Sequence, residues 1–171
     1  GKCFKYREPL IAVDGIGGNV ITHTAIKISQ EIEKDLVVIP FGINSSSILD
    51  WAYGDLRHHH HLALKNIKEN NFTPSIFLWH QGENDARMDG LHPSQLLKEK
   101  KYERTIHLKR KNTLGIDKQT YKDGLEIVIK RNRKYFPNAN FGIALVSRCN
   151  NKESWTPVIE AQKEIIRSYN Y

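Results

Sequence analysis

The sequence predicts an α/β domain: a three-layer sandwich around a mainly parallel sheet. Three observations lead there. Short, nearly continuous apolar runs recur at "DLVVIPF" (Asp35–Phe41), "SIFLWH" (Ser75–His80) and "NFGIALVS" (Asn140–Ser147), the habit of strands buried on both faces. Segments of helical periodicity separate them, and strand–helix alternation favours a parallel sheet covered by helices. With 171 residues, 39% hydrophobic and 26% charged, the chain has the composition of one globular domain with a sizeable core.

The elements follow in order. After the glycine-rich turn "DGIGGN", Val20–Glu33 reads as a helix. The first apolar run and then "GINSSSILDW" (Gly42–Trp51), read as a loop, come next. "DLRHHHHLALKNIKENN" (Asp55–Asn71) has helical spacing at Leu56, Leu62, Leu64 and Ile67. Beyond the second run, Arg87–Thr113 is polar, basic and weakly periodic, and reads as an insertion. "DKQTYKDGLEIVIKRNRKYF" (Asp117–Phe136) is helical, with Asp117 as its cap and Pro137 as its stop. "PVIEAQKEIIRSY" forms a last helix with Pro157 in its first turn. No internal repeat is present.

Composition narrows the function classes. No apolar stretch approaches the roughly 20 residues that span a bilayer, and "GKCFKYREPL" lacks the apolar centre of a signal peptide. The formal charge of +7 concentrates in Leu96–Asn112 and Lys130–Asn138. No nucleic-acid motif accompanies these segments, so they read as solvated surface and no nucleic-acid partner is expected. A basic nucleic-acid-binding role for Leu96–Asn112 is the competing reading. Cys3 and Cys149 lie outside any metal or redox spacing, which leaves a disulfide or two free thiols open. His58–His61 are consecutive in a helix, so they splay around its axis and read as solvated surface; no metal or cofactor is expected.

The candidate chemistry lies in "SIFLWHQGENDA" (Ser75–Ala86), where an apolar run ends in His80, Gln81, Glu83 and Asp85. Ligands of open α/β sheets sit beyond the carboxyl ends of the strands. The loop Gln81–Ala86 and the loop Gly42–Trp51 would therefore share one edge. The Gln81 amide can donate to a developing oxyanion, with backbone N–H groups of the Asn44–Ser47 turn as companions; such donors are worth ~3–4 kcal/mol each in acyl transfer. Gly82 allows the sharp turn. Glu83 can orient a histidine or hold a substrate hydroxyl. Trp51 and Trp79 are flat surfaces of the kind sugars stack on, or else core. Trp51, His80 and Asp85 are the expected substrate contacts. No G-x-S-x-G elbow surrounds Ser45, Ser46 and Ser47, so Ser45 reads as part of the oxyanion turn.

"PLIAVDGIGGNVITHTAIKI", "VVIPFGINSSSILDWA", "GDLRHHHHLALKNI", "FLWHQGENDA", "LVSRC" and "IEAQKEII" occur in this order. Together they resemble the sialate O-acetylesterase-like branch of the SGNH hydrolases, which are related to carbohydrate acetyl esterases. The likeness covers most of the chain except Arg87–Thr113. It implies one SGNH-type domain over residues 1–171, flavodoxin-like in fold and incomplete at both ends. The implied activity is serine-dependent removal of acetyl esters from a carbohydrate. By this resemblance Gln81 is the side-chain oxyanion donor, Ser45 stands where the family's turn has a second glycine, and Glu83 matches a glutamate that supports the catalytic histidine. The family's "GQSN"-like nucleophile block is expected before Gly1 and its "DxxH" pair after Tyr171. "DGLH" (Asp89–His92) matches "DxxH" literally but precedes the third strand. The resemblance implies a bacterial secreted or periplasmic setting, while the residues leave compartment and oligomeric state open. The alternative is a non-catalytic carbohydrate-binding or degenerate esterase domain.

Overall fold

The computed structural model describes residues 20–44, 46–85, 116–146 and 156–169. The chain divides into two compact units, Gly1–Ser45 and Ser46–Tyr171. In the first, α1 (Val20–Ile32) matches the predicted helix. Glu33 ends it with φ of 51°, and the Ser29 hydroxyl donates to the Lys34 carbonyl at 2.7 Å.

The next run departs from expectation. Residues 35–41 form no strand, and only Gly42 makes an isolated bridge. Val37 and Ile39 are 62% and 48% exposed. Apolar composition makes a segment suitable for a sheet, but a strand exists only where a second backbone completes the hydrogen-bond ladder.

The second unit is a mixed helix and sheet structure. A helix absent from the sequence reading, α2 (Ile48–Ala52), is followed by α3 (Leu56–Glu69), β1 (Ile76–Trp79), α4 (Lys118–Tyr135), β2 (Asn140–Ile143) and α5 (Thr156–Ser168). β1 and β2 pair in parallel, with Ile76 opposite Asn140 and Trp79 opposite Ile143. Asp117 caps α4 as expected, its side chain accepting from the Thr120 amide. α2 is set by a capping box: Ser47 caps the helix and Asp50 accepts from the Ser47 amide at 2.7 Å.

The core gathers Ile48, Leu49 and Trp51 from α2, Tyr121, Leu125, Val128 and Ile129 from α4, and Val158, Ala161 and Ile165 from α5. Phe77, Trp79, Phe141 and Ile143 pack from one face of the two strands. Ile76 and Leu78 alternate to the other face and are 50% and 62% exposed. The expected burial of this strand on both faces therefore holds for one. α2 and α4 meet closely at Gly124, where a Cβ would lie 2.8 Å from Ile48 Cγ1. A glycine inside a helix costs roughly 1 kcal/mol relative to alanine; here it makes room for α2. No helix among the described residues is long and apolar enough to cross a membrane.

Candidate functional site

β1 delivers His80 and Gln81 at its carboxyl end. The chain then turns through Gly82 at φ +143°, a conformation that side chains rarely adopt. A Cβ there would also stand 3.0 Å from Val158 Cγ1 and 3.3 Å from the Tyr121 hydroxyl. Both backbone conformation and space demand glycine.

Beyond the turn, Asp85 points inward and is fully buried. Its Oδ1 accepts from Ser47 Oγ at 2.5 Å, and its Oδ2 accepts from the Ile48 amide at 2.9 Å and from Gln81 Nε2. Gln81 Nε2 also donates to the Ser46 carbonyl at 3.0 Å. These bonds fasten the loop after β1 to the entry of α2. The contact is made by Ser46, Ser47 and Ile48; because residues 35–41 form no strand, it does not arise from two strand ends at one sheet edge. Burial pushes the Asp85 carboxyl up to about 6, against the downward pull of Ser47, Gln81 and the Ile48 amide.

The Gln81 backbone is held as firmly as its side chain. Its carbonyl accepts from the Tyr121 hydroxyl at 2.8 Å and from Gln162 Nε2 at 3.1 Å. Gln162 Nε2 also donates to the Tyr121 hydroxyl at 3.0 Å, while Gln162 Oε1 accepts from the Val146 amide at 2.9 Å. One buried glutamine on α5 thus ties the loop after β1 to the loop after β2. Burial raises the Tyr121 pKa above its ordinary value, so its phenol stays protonated and donates.

His80 and Glu83 stand at the surface of this loop. His80 Nε2 lies 3.2 Å from Glu83 Oε1, with both side chains partly exposed. The Glu83 hydrogen bond raises the His80 pKa, and the same bond lowers that of Glu83. The histidine that Glu83 meets is His80, three residues before it on the same loop.

Four expected roles meet a different placement. Asp85 is a buried acceptor that holds loops together, with no solvent-facing atom for a substrate. Trp51 is buried, donates through Nε1 to Ser46 Oγ at 2.9 Å and packs edge-on to Trp79 at 5.6 Å, which is the core alternative. Gln81 directs both amide hydrogens inward, to Ser46 and Asp85. His60, expected with its neighbours on solvated surface, is buried, while His58, His59 and His61 are exposed. Ser45, the Asp89–His92 pair, the Arg87–Thr113 insertion, the Leu96–Asn112 segment, Cys3 and Cys149 lie outside the described residues.

Sequence reasoning placed Ser46 and Ser47 in the oxyanion turn but missed that they hold Gln81 and Asp85, and it missed Tyr121 and Gln162 altogether. The Ser47-x-x-Asp50 spacing was a readable signal for α2; nothing local marks Tyr121 or Gln162. Among the described residues no group of three His, Cys, Asp or Glu side chains could hold a metal ion. Comparison of this chain with protein-family models, with curated proteins and with solved structures finds no match.

Proposed function

We propose that the chain carries one edge of a carbohydrate O-acetylesterase-like serine hydrolase of SGNH type, acting on an acetylated sugar. In this reading the Gln81 loop lines the oxyanion hole and Glu83 supports a histidine. The attacking serine and its histidine partner come from blocks outside residues 1–171. The three-layer sandwich belongs to the same reading, and the parallel pairing of β1 and β2 supports it.

The observation that carries the proposal is the buried cluster of Gln81, Asp85, Ser46 and Ser47. It holds the "HQGE" loop against the turn that opens "SILDW". For acyl transfer, one Gln81 N–H must swing from Ser46 or Asp85 to the developing oxyanion. Preorganised donors of this kind are worth ~3–4 kcal/mol each.

The inward use of both Gln81 hydrogens favours a second reading, a degenerate domain that keeps the loop architecture without the chemistry. Treating the native protein with a serine-reactive fluorophosphonate and mapping the adduct separates the two. An adduct on a serine, with release of acetate from an acetylated sugar, supports the esterase; no adduct and no acetate leaves the degenerate domain. In an active protein, Gln81→Ala should lower kcat by about 100-fold with little change in KM. Unchanged turnover would remove Gln81 from the oxyanion hole.

A further inference from the structure

While Asp85 grips the start of α2, a second, partly buried assembly grips its end. Arg131, on α4, donates through Nη1 to the Trp51 carbonyl at 2.7 Å and through Nη2 to the Ala52 carbonyl at 3.1 Å. These are carbonyls at a helix end, where intrahelical partners run out. Arg131 Nη1 also lies 3.1 Å from Nδ1 of His60 on α3, and His60 Nε2 lies 3.3 Å from Asn132 Oδ1.

The proton positions follow from what each partner can do. A guanidinium only donates, so His60 Nδ1 must accept. Asn132 spends its Nδ2 on the Val128 carbonyl at 3.0 Å, so its Oδ1 faces the ring and His60 Nε2 must carry the hydrogen. Only the neutral Nε2–H imidazole satisfies both neighbours. The ring is 8% exposed and packs edge-on to Trp51 at 6.0 Å, so water offers little alternative.

We propose that His60, Arg131 and Asn132 form an acid-released latch on α2. Protonation turns His60 Nδ1 from an acceptor into a donor that faces a cation. Arg131 then withdraws from the Trp51 and Ala52 carbonyls and the end of α2 is set free. Because α2 is only five residues long, loosening its end reaches the Ser47–Asp85 contact at its start. The latch does not depend on the esterase reading, since it is read out in the helix itself.

The surrounding charges agree in sign. From α4 Arg131 acts on His60, from α3 His61 does, and Arg57 in turn acts on Arg131. α2 presents the Trp51 ring. Among the described residues, no carboxylate acts on His60. Burial first, and Arg131 second, push the His60 pKa from 6.5 down to about 4. The closed latch therefore binds fewer protons than the open one. Its stability is complete above the open-state value and is lost as pH falls from 6.5 towards 4.

The test is amide hydrogen exchange over Ile48–Tyr53 in the full chain, corrected for intrinsic rates. Relative to His60→Gln, protection in the wild-type protein should fall on the order of a hundredfold between about pH 6.5 and pH 4, at up to tenfold per pH unit. His60→Gln offers an N–H to Asn132 and a carbonyl to Arg131 without titrating, and should keep most of that protection. Asp85 titrates in the same window in both proteins and with the opposite sign, its protonation favouring the folded cluster, so the latch is read as the difference between the two proteins. The same pH response in the variant as in the wild type overturns the latch. Imidazole resonances of the wild-type protein make the test independent of whether the variant folds. Titration of His60 well below the ordinary histidine value, in step with α2 exchange, supports the latch. Titration near 6.5 with α2 protection unchanged overturns it.

Discussion

Replacing Asp85 with asparagine tests the balance of forces in the buried cluster. The carboxylate receives three hydrogen bonds, from Ser47 Oγ, the Ile48 amide and Gln81 Nε2. Charge-assisted bonds of this kind favour ionisation, whereas complete burial opposes it. Burial wins, since the folded-state pKa stands at about 6 against 3.8. A folded-state carboxyl pKa above the unfolded value means that the native state binds more protons between the two. Its stabilising contribution is present below 3.8 and lost as pH rises through 6. The difference of about 2 units corresponds to roughly 3 kcal/mol, an upper bound for a buried coupled group.

Asparagine is nearly the same size and carries no charge. Its oxygen can accept from Ile48 and Gln81, and its NH2 can donate to Ser47 Oγ once that hydroxyl rotates. Asp85→Asn should therefore be neutral to stabilising near pH 7, by up to about 3 kcal/mol, with the gain vanishing towards pH 4. The assay is urea unfolding of variant and wild type at several pH values. Taking the difference between the two proteins cancels the other titrating groups. A variant less stable than wild type by more than about 1 kcal/mol at neutral pH would show that the three donors outweigh burial. The reasoning about Asp85 would then be wrong in sign.

Two other substitutions probe how the site is held. Gly124→Val should cost about 2 kcal/mol by overpacking, because its Cβ would meet Ile48 Cγ1 at 2.8 Å inside the core; thermal unfolding at unchanged stability would refute the close α2–α4 approach. Gln162→Leu deletes bonds to the Gln81 carbonyl, the Tyr121 hydroxyl and the Val146 amide, and should cost roughly 3 kcal/mol, with faster exchange at Val146. Destabilisation without a change at Val146 would place the effect elsewhere than the bridge between the two strand-end loops.

Much of the local structure is legible in the residues. α1, α3, α4 and α5 fall within two residues of their expected ranges, because periodicity, the Asp117 cap and Pro137 act within one or two turns. The parallel pairing of β1 and β2 follows from apolar runs separated by a helical crossover. The capping box that makes α2 is equally local, in the Ser47-x-x-Asp50 spacing.

Four outcomes were decided by partners far along the chain. Residues 35–41 have the composition of a strand, but composition does not choose a neighbour. The four consecutive histidines look alike in sequence; packing against α4 buries His60 and leaves the other three exposed. Gln81 and Asp85 read as outward chemistry because clusters of polar groups at strand ends often are. Their donors and acceptors instead find Ser46, Ser47, Tyr121 and Gln162, 35 to 81 residues away. The sequence by itself determined which polar groups stand at the end of β1. The tertiary structure alone decided which way they point, since a buried hydrogen-bonding group turns towards whatever partner packing brings within 3 Å.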